Sequence, residues 1–167
     1  MTRYESDILA NGLDVVFCGL NPAASAAAAG HNFSNPSNRF WRVLHLAGFT
    51  DIQLQAKDER RLLEYRCGIS AVVRRPTRRG AEVSADEFKS ARSEFEDKMR
   101  QFAPRAIAFL GKRGFSTMLG LPKVEWGQYP PGFAGTMAWI LPNPSGLNRS
   151  FTLAALVEAY SELHRQL

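Results

Sequence analysis

Four short apolar runs alternate along this chain with longer segments of helical pattern, and that alternation constrains its fold more than any other feature. The runs are V-V-F-C-G within residues 14–22, I-S-A-V-V at 69–73, A-I-A-F-L-G at 106–111 and T-M-A-W-I-L at 136–141. Each has the length and residue types of a buried strand. Between them lie apolar stripes at helical spacing: Phe40, Val43, Leu44 and Ala47 before Gly48, then Phe88, Phe95, Met99 and Phe102 before Pro104. A last stripe runs through Leu153, Leu156, Val157, Tyr160 and Leu163. Ser84 followed by Glu87 has the spacing of a capping box, and residues 58–66 predict a shorter charged helix. Another helix is expected to run to about Leu119. Residues 120–135, with three prolines and four glycines, read as an irregular connection or a hairpin. Strands alternating with helices predict an α/β fold, a three-layer α/β/α sandwich around a central, mostly parallel, four-stranded sheet.

The 167 residues contain no repeat or linker, so a single domain over 1–167 is expected. Hydrophobic residues at 45% and charged residues at 22% fit a globular protein rather than a disordered or fibrous one. No run of eighteen apolar residues appears, and M-T-R-Y-E-S-D does not read as a secretory signal, which predicts a cytoplasmic protein without a membrane partner. Two cysteines are too few for a four-cysteine zinc site, and the three histidines lack ligand spacing. Neither a metal nor another cofactor is expected. The formal charge of +5 and a pI near 9.6 are compatible with a polyanionic partner without requiring one.

Two of the apolar runs end on similar polar tips. Asn21-Pro22 follows the first, and P-N-P-S-G-L-N-R, from Pro142 to Arg149, follows the fourth. In an open α/β sheet, ligands bind beyond the carboxyl ends of the strands, although Asn-Pro also reads as an ordinary turn. Residues 22–36 form a small-residue loop that would let a ligand approach backbone amides, with Phe33 as a surface for a planar ring. R-R-P-T-R-R at 74–79 suits phosphate contact and equally suits a solvated charged loop.

G-L-N-P with its small-residue loop, then N-R-F-W, R-P-T and L-P-N-P-S-G-L-N-R, occur in this order over nearly the whole chain. Together they resemble the mismatch-specific uracil-DNA glycosylases, bacterial relatives of thymine-DNA glycosylase in the uracil-DNA glycosylase superfamily. The resemblance implies excision of uracil opposite guanine in duplex DNA by a monofunctional enzyme, expected to be a monomer. It assigns water positioning to Asn21, base stacking to Phe33, backbone contacts to Leu20 and Phe33, and the pocket wall to Asn143. Gly146, Leu147 and Arg149 match the wedge that replaces the flipped nucleotide and touches the widowed guanine, with Ser145 beside them against DNA. Arg74, Arg75 and Arg78 are candidate phosphate contacts.

Ala23 stands where strict uracil enzymes carry a bulky tyrosine, so thymine or ethenocytosine are further candidate substrates; the mismatch family usually has glycine there. Asn21 is an amide, able to orient water but not to act as a strong base. Among the nearby acids Glu82, Asp86 and Glu87, Asp86 is a candidate to assist it, against the plainer role of an acid at a helix start. A broad base-lesion glycosylase that includes single-stranded uracil, or a non-catalytic mismatch or abasic-site binding module, are the alternatives.

Overall fold

The computed structural model describes residues 6–19, 30–75 and 83–167. Leu20, Asn21, Ala23 and Arg78 therefore lie outside the described residues, as does Glu82. Five strands form one sheet: β1 (Val15–Gly19), β2 (Cys67–Ala71), β3 (Ala106–Leu110), β4 (Gly127–Phe133) and β5 (Thr136–Leu141), in the order β2-β1-β3-β5-β4. The expected count of four is corrected by β4, which pairs antiparallel with β5 as the first arm of a hairpin. A hairpin is one of the two readings the sequence of residues 120–135 allowed; G-Q-Y-P-P-G-F left the irregular connection open too, since proline cannot donate to a ladder. The strand survives because it is an edge strand whose register shifts between Tyr129 and Phe133, where the prolines fall. The other four strands are mutually parallel.

Side-chain alternation along the strands builds two cores. Val15 and Phe17 face one way, into a cluster with α1 (Phe40–Leu46), Leu62 of a 3-10 helix (Ala56–Tyr65), and α4 (Leu153–His164). Val16 and Cys18 face the other, into a cluster with α2 (Ala85–Phe102) and α3 (Lys112–Leu119). Helices thus cover both faces, the three-layer arrangement expected from the alternation. Phe17 packs edge-on against Phe40 and Phe49 at 5.5 and 5.3 Å between ring centroids, tying β1 to α1.

Local differences from the sequence reading have physical causes. The charged helix is of the 3-10 type and begins two residues before the predicted start; its two buried residues, Glu59 and Leu62, are three apart and so share one line at three residues per turn. In α2, Ser84 Oγ accepts the Glu87 N–H at 3.1 Å as predicted, and the Glu87 carboxylate, whose pKa Arg75 and the Ser84 backbone both hold down, also reaches out to Arg75. β2 starts two residues before the predicted run, and Val72 and Val73 lie buried just beyond it.

Candidate active site

Parallel pairing places the carboxyl ends of β1, β2, β3 and β5 on one rim. Gly19 lies opposite Ala71, Cys18 opposite Phe109, and Leu110 opposite Leu141. Five strands span about 19 Å at the usual spacing. Among the described residues, Phe33 follows β1, Arg74 and Arg75 follow β2, and Asn143, Ser145, Gly146, Leu147 and Arg149 follow β5, whereas Asp86 stands apart in the first turn of α2 (Ala85–Phe102).

The loop after β5 is held from within and from outside. Asn143 Oδ1 accepts the Ser145 N–H at 2.9 Å, Ser145 Oγ accepts the Leu147 N–H at 3.2 Å, and Asn148 Nδ2 donates back to the Asn143 carbonyl at 2.9 Å. The Tyr160 hydroxyl donates to the Pro142 carbonyl at 2.8 Å, anchoring the root of the loop to α4; burial pushes this phenol's pKa up, so it remains a donor. With its oxygen engaged by Ser145, the Asn143 side chain retains an amide donor for a ligand.

Arg39, just before α1, is the external clamp. Its guanidinium donates to the carbonyls of Pro144 (3.3 Å), Phe151 (2.7 Å), Ser145 (3.0 Å) and Asn148 (2.9 Å). Its backbone N–H also reaches Pro144, at 3.0 Å. A planar fork with five donors suits a convergent set of carbonyls. Leu147 is left 88% exposed at the crest of this braced loop, a suitable position for a side chain that enters a partner. Arg149 is exposed beside it and makes no hydrogen bond or ion pair with the described residues.

Phe33 is half-buried, stacked on Phe40 at 4.0 Å between centroids, and adopts φ 52°, left-handed for a non-glycine residue. Its carbonyl accepts the Trp41 indole N–H at 3.2 Å. Glu59 fixes the neighbouring residue: one carboxylate oxygen accepts the Asn32 N–H at 2.6 Å and its side-chain amide at 3.2 Å. His31 Nδ1 lies 3.7 Å from the other oxygen. Strained backbone persists where surroundings over-determine it, and Glu59 and Trp41 supply that constraint on either side of Phe33.

The remaining expected residues are less convergent. Arg75 makes a bidentate pair with Glu87 at 3.0 and 2.8 Å, and Arg74 lies 3.7 Å from Glu94, so both exposed arginines lean on α2. Arg75 holds the Glu87 carboxyl below its usual range. Asp86 is exposed in the first turn of α2, without a hydrogen bond or ion pair to the described residues. Burial pushes both cysteine thiols up, Cys67 to about 12, so neither supplies a thiolate at neutral pH. Among the described residues no cluster of three or more metal-ligating side chains occurs, and no helix is long and apolar enough to cross a membrane.

The sequence reading missed Arg39, although it stands within N-R-F-W, and missed the Glu59–Asn32 contact. Neither distance in sequence nor residue type announces such clamps.

The solution structure of a candidate uracil DNA glycosylase from Methanosarcina acetivorans is similar, with a TM-score of 0.64 over 97% of this chain and 98% of that one. At 20% identity this is a likeness of fold. The sequence itself matches the Uracil DNA glycosylase superfamily over residues 7–164, and this chain therefore belongs to that superfamily.

Proposed function

We propose that this protein is a monofunctional DNA glycosylase that excises uracil opposite guanine from duplex DNA, without a cofactor, as an early step of base repair. Beside the family membership, the observation that carries this reading is Leu147, an exposed apolar side chain on a loop braced by Arg39. An enzyme acting at C1′ must take the nucleotide out of the stack, and a rigid apolar wedge replaces the lost stacking. Opening costs least at a mismatch, which favours U·G over a matched pair.

The flipped uracil stacks on Phe33 while Asn21 orients the attacking water. The bond from C1′ to the base breaks through an oxocarbenium-like sugar, and negative charge moves onto the departing ring. The Asn143 amide and the backbone amides near Leu20 and Phe33 stabilise that charge as donors. Water adds to C1′, its proton is released, and the products are an abasic site and free uracil. Since an amide is a poor base, the rate depends mostly on leaving-group stability; Asp86 is the one further acid to be tested for assistance. Ala23 leaves room for 5-substituted or enlarged pyrimidines, and one methyl group changes discrimination by about 1–3 kcal/mol. Arg149 reads the widowed guanine, with Ser145 and Gly146 on the strand and Arg74, Arg75 and Arg78 on phosphates.

The test is excision from matched duplexes carrying U·G, U·A, T·G or ethenocytosine·G and from single-stranded uracil, with Asn21→Ala, Asp86→Asn and Arg149→Ala alongside. U·G cleavage lost in Asn21→Ala, unchanged in Asp86→Asn, and indifferent to the opposing base in Arg149→Ala supports the assignment. Mismatch binding with no abasic product would instead identify a recognition module.

A further inference from the structure

We propose that Trp126 and Lys112 form a second DNA-contact surface, a platform for the sugar-phosphate backbone beside the Leu147 wedge. The identity of the polyanion rests on the glycosylase reading; the platform itself rests on geometry. β4 runs antiparallel to β5 with Gly127 opposite Ile140, so Trp126 falls level with Leu141, on the rim from which the wedge loop departs. Its ring meets Phe151 edge-on at 5.3 Å, and the Phe151 carbonyl is one of those held by Arg39. The Trp126 surface is therefore continuous with the braced loop.

Lys112 arrives from β3. Gly111 donates its N–H to the Leu141 carbonyl at 2.7 Å, and the next residue places its ammonium 4.6 Å from the centroid of the Trp126 ring. Three strand ends thus converge on one aromatic and cationic patch. Trp126 is 41% exposed, and no carboxylate among the described residues pairs with Lys112. Lys112 also stands in the first turn of α3, which has no acidic residue there, a place where the helix dipole disfavours a cation. Helix stability does not account for the lysine, whereas an anionic partner does.

The pair matches what a nucleic-acid backbone offers. The ammonium meets a phosphate, and the indole covers the apolar face of the adjoining sugar, with the cation–π contact holding the two together. Such contacts position the duplex without reading sequence. They lie at the β4 edge of the rim, opposite the edge where Arg74 and Arg75 follow β2, so a duplex contacting both would lie across the carboxyl ends of the strands.

The wild-type protein supplies its own reporter. Of its three tryptophans, Trp41 and Trp139 are buried, at 7% and 6% exposure, so quenching by neutral acrylamide reads chiefly Trp126. Saturation with undamaged duplex is expected to lower the quenching constant severalfold; an unchanged constant at saturation overturns the proposal. Trp126→Ala should weaken affinity about fivefold, equally for uracil-containing and uracil-free duplex, with Trp126→Phe retaining part of it. Lys112→Gln should make the salt dependence shallower by about one phosphate contact. Unaltered affinity and slope in these variants also overturn it. Excision without Trp126 protection would overturn the platform and leave the glycosylase reading standing. Protection without excision would support the platform and overturn that reading, and failure to bind any DNA would overturn both.

Discussion

Gly146 and Ser37 lie in direct contact: a Cβ added at Gly146 would stand 2.7 Å from the Cβ, Oγ and carbonyl oxygen of Ser37. Ser37 has little freedom to withdraw, since its N–H and hydroxyl both donate to Asn35 Oδ1 at 2.9 and 2.8 Å. The wedge loop is thereby seated on the loop that carries Phe33, and only glycine allows the approach. Gly146→Ala should cost about 1–3 kcal/mol of stability through overpacking. Because Leu147 is the next residue, single-turnover excision from U·G should fall more than tenfold while the fold persists. Melting and single-turnover measurements on the same preparation check both parts; a wild-type rate would mean that the loop's seating is unimportant to opening the duplex.

Arg39→Lys provides a sharper test of preorganisation, because it keeps the charge. The guanidinium serves four carbonyls in the 144–151 segment, whereas an ammonium has three donors and no planar fork. Loss of even one such charge-assisted bond is worth about 1.5–3 kcal/mol. Reduced stability in urea, together with weaker discrimination between U·G and U·A, is the expected result. Equal stability and discrimination in the lysine variant would reduce Arg39 to a simple surface cation.

Glu59→Gln examines the other side of the cleft. The carboxylate is 7% exposed and accepts two N–H groups from Asn32 through one oxygen, next to the left-handed Phe33. Glutamine retains an acceptor but loses the charge that strengthens these bonds, at a cost of about 1–3 kcal/mol. Phe33 is held in part by that contact, so the rate at saturating enzyme should fall further than the affinity for abasic DNA. Parallel losses in rate and affinity would mean that Glu59 supports only the fold.

The layers were legible because alternation and helical spacing are local patterns. Val15 and Phe17 fell on one face, Val16 and Cys18 on the other, as a two-sided sheet requires. β4 was legible only as one of two alternatives, a hairpin or an irregular connection, because its partner rather than its own proline-rich sequence makes it a strand. At the site, the resemblance singled out Leu147, Arg149 and Phe33, and their exposure and packing come from the structure: Leu147 and Arg149 exposed, Phe33 half-buried. The partners of Arg39 and Glu59 were not. Arg39 reaches carbonyls more than a hundred positions away, and backbone acceptors carry no sequence signature. The basic loop read equally as a phosphate contact and as a solvated charged loop, and the pairing of Arg75 with Glu87 carries no sequence signature of its own.

Glu87→Gln turns that last contact into a measurement of how the basic loop functions. Arg75 lowers the Glu87 carboxyl below its ordinary range, so the pair stabilises the fold above the unfolded-state pKa and loses that contribution as pH falls through the folded-state value. At neutral pH the carboxylate is ionised and competes with any phosphate that approaches Arg75. Removing it should raise affinity for undamaged duplex and steepen the salt dependence toward one further contact, a slope change of about 0.9. Acidification of the wild-type protein through the Glu87 titration should move its affinity in the same direction, and the glutamine variant should lack that component. Binding isotherms over a range of salt and pH check both. If slope and affinity do not change, the arginines after β2 serve α2 through their carboxylate partners, and the DNA-contact surface is confined to the wedge side of the rim.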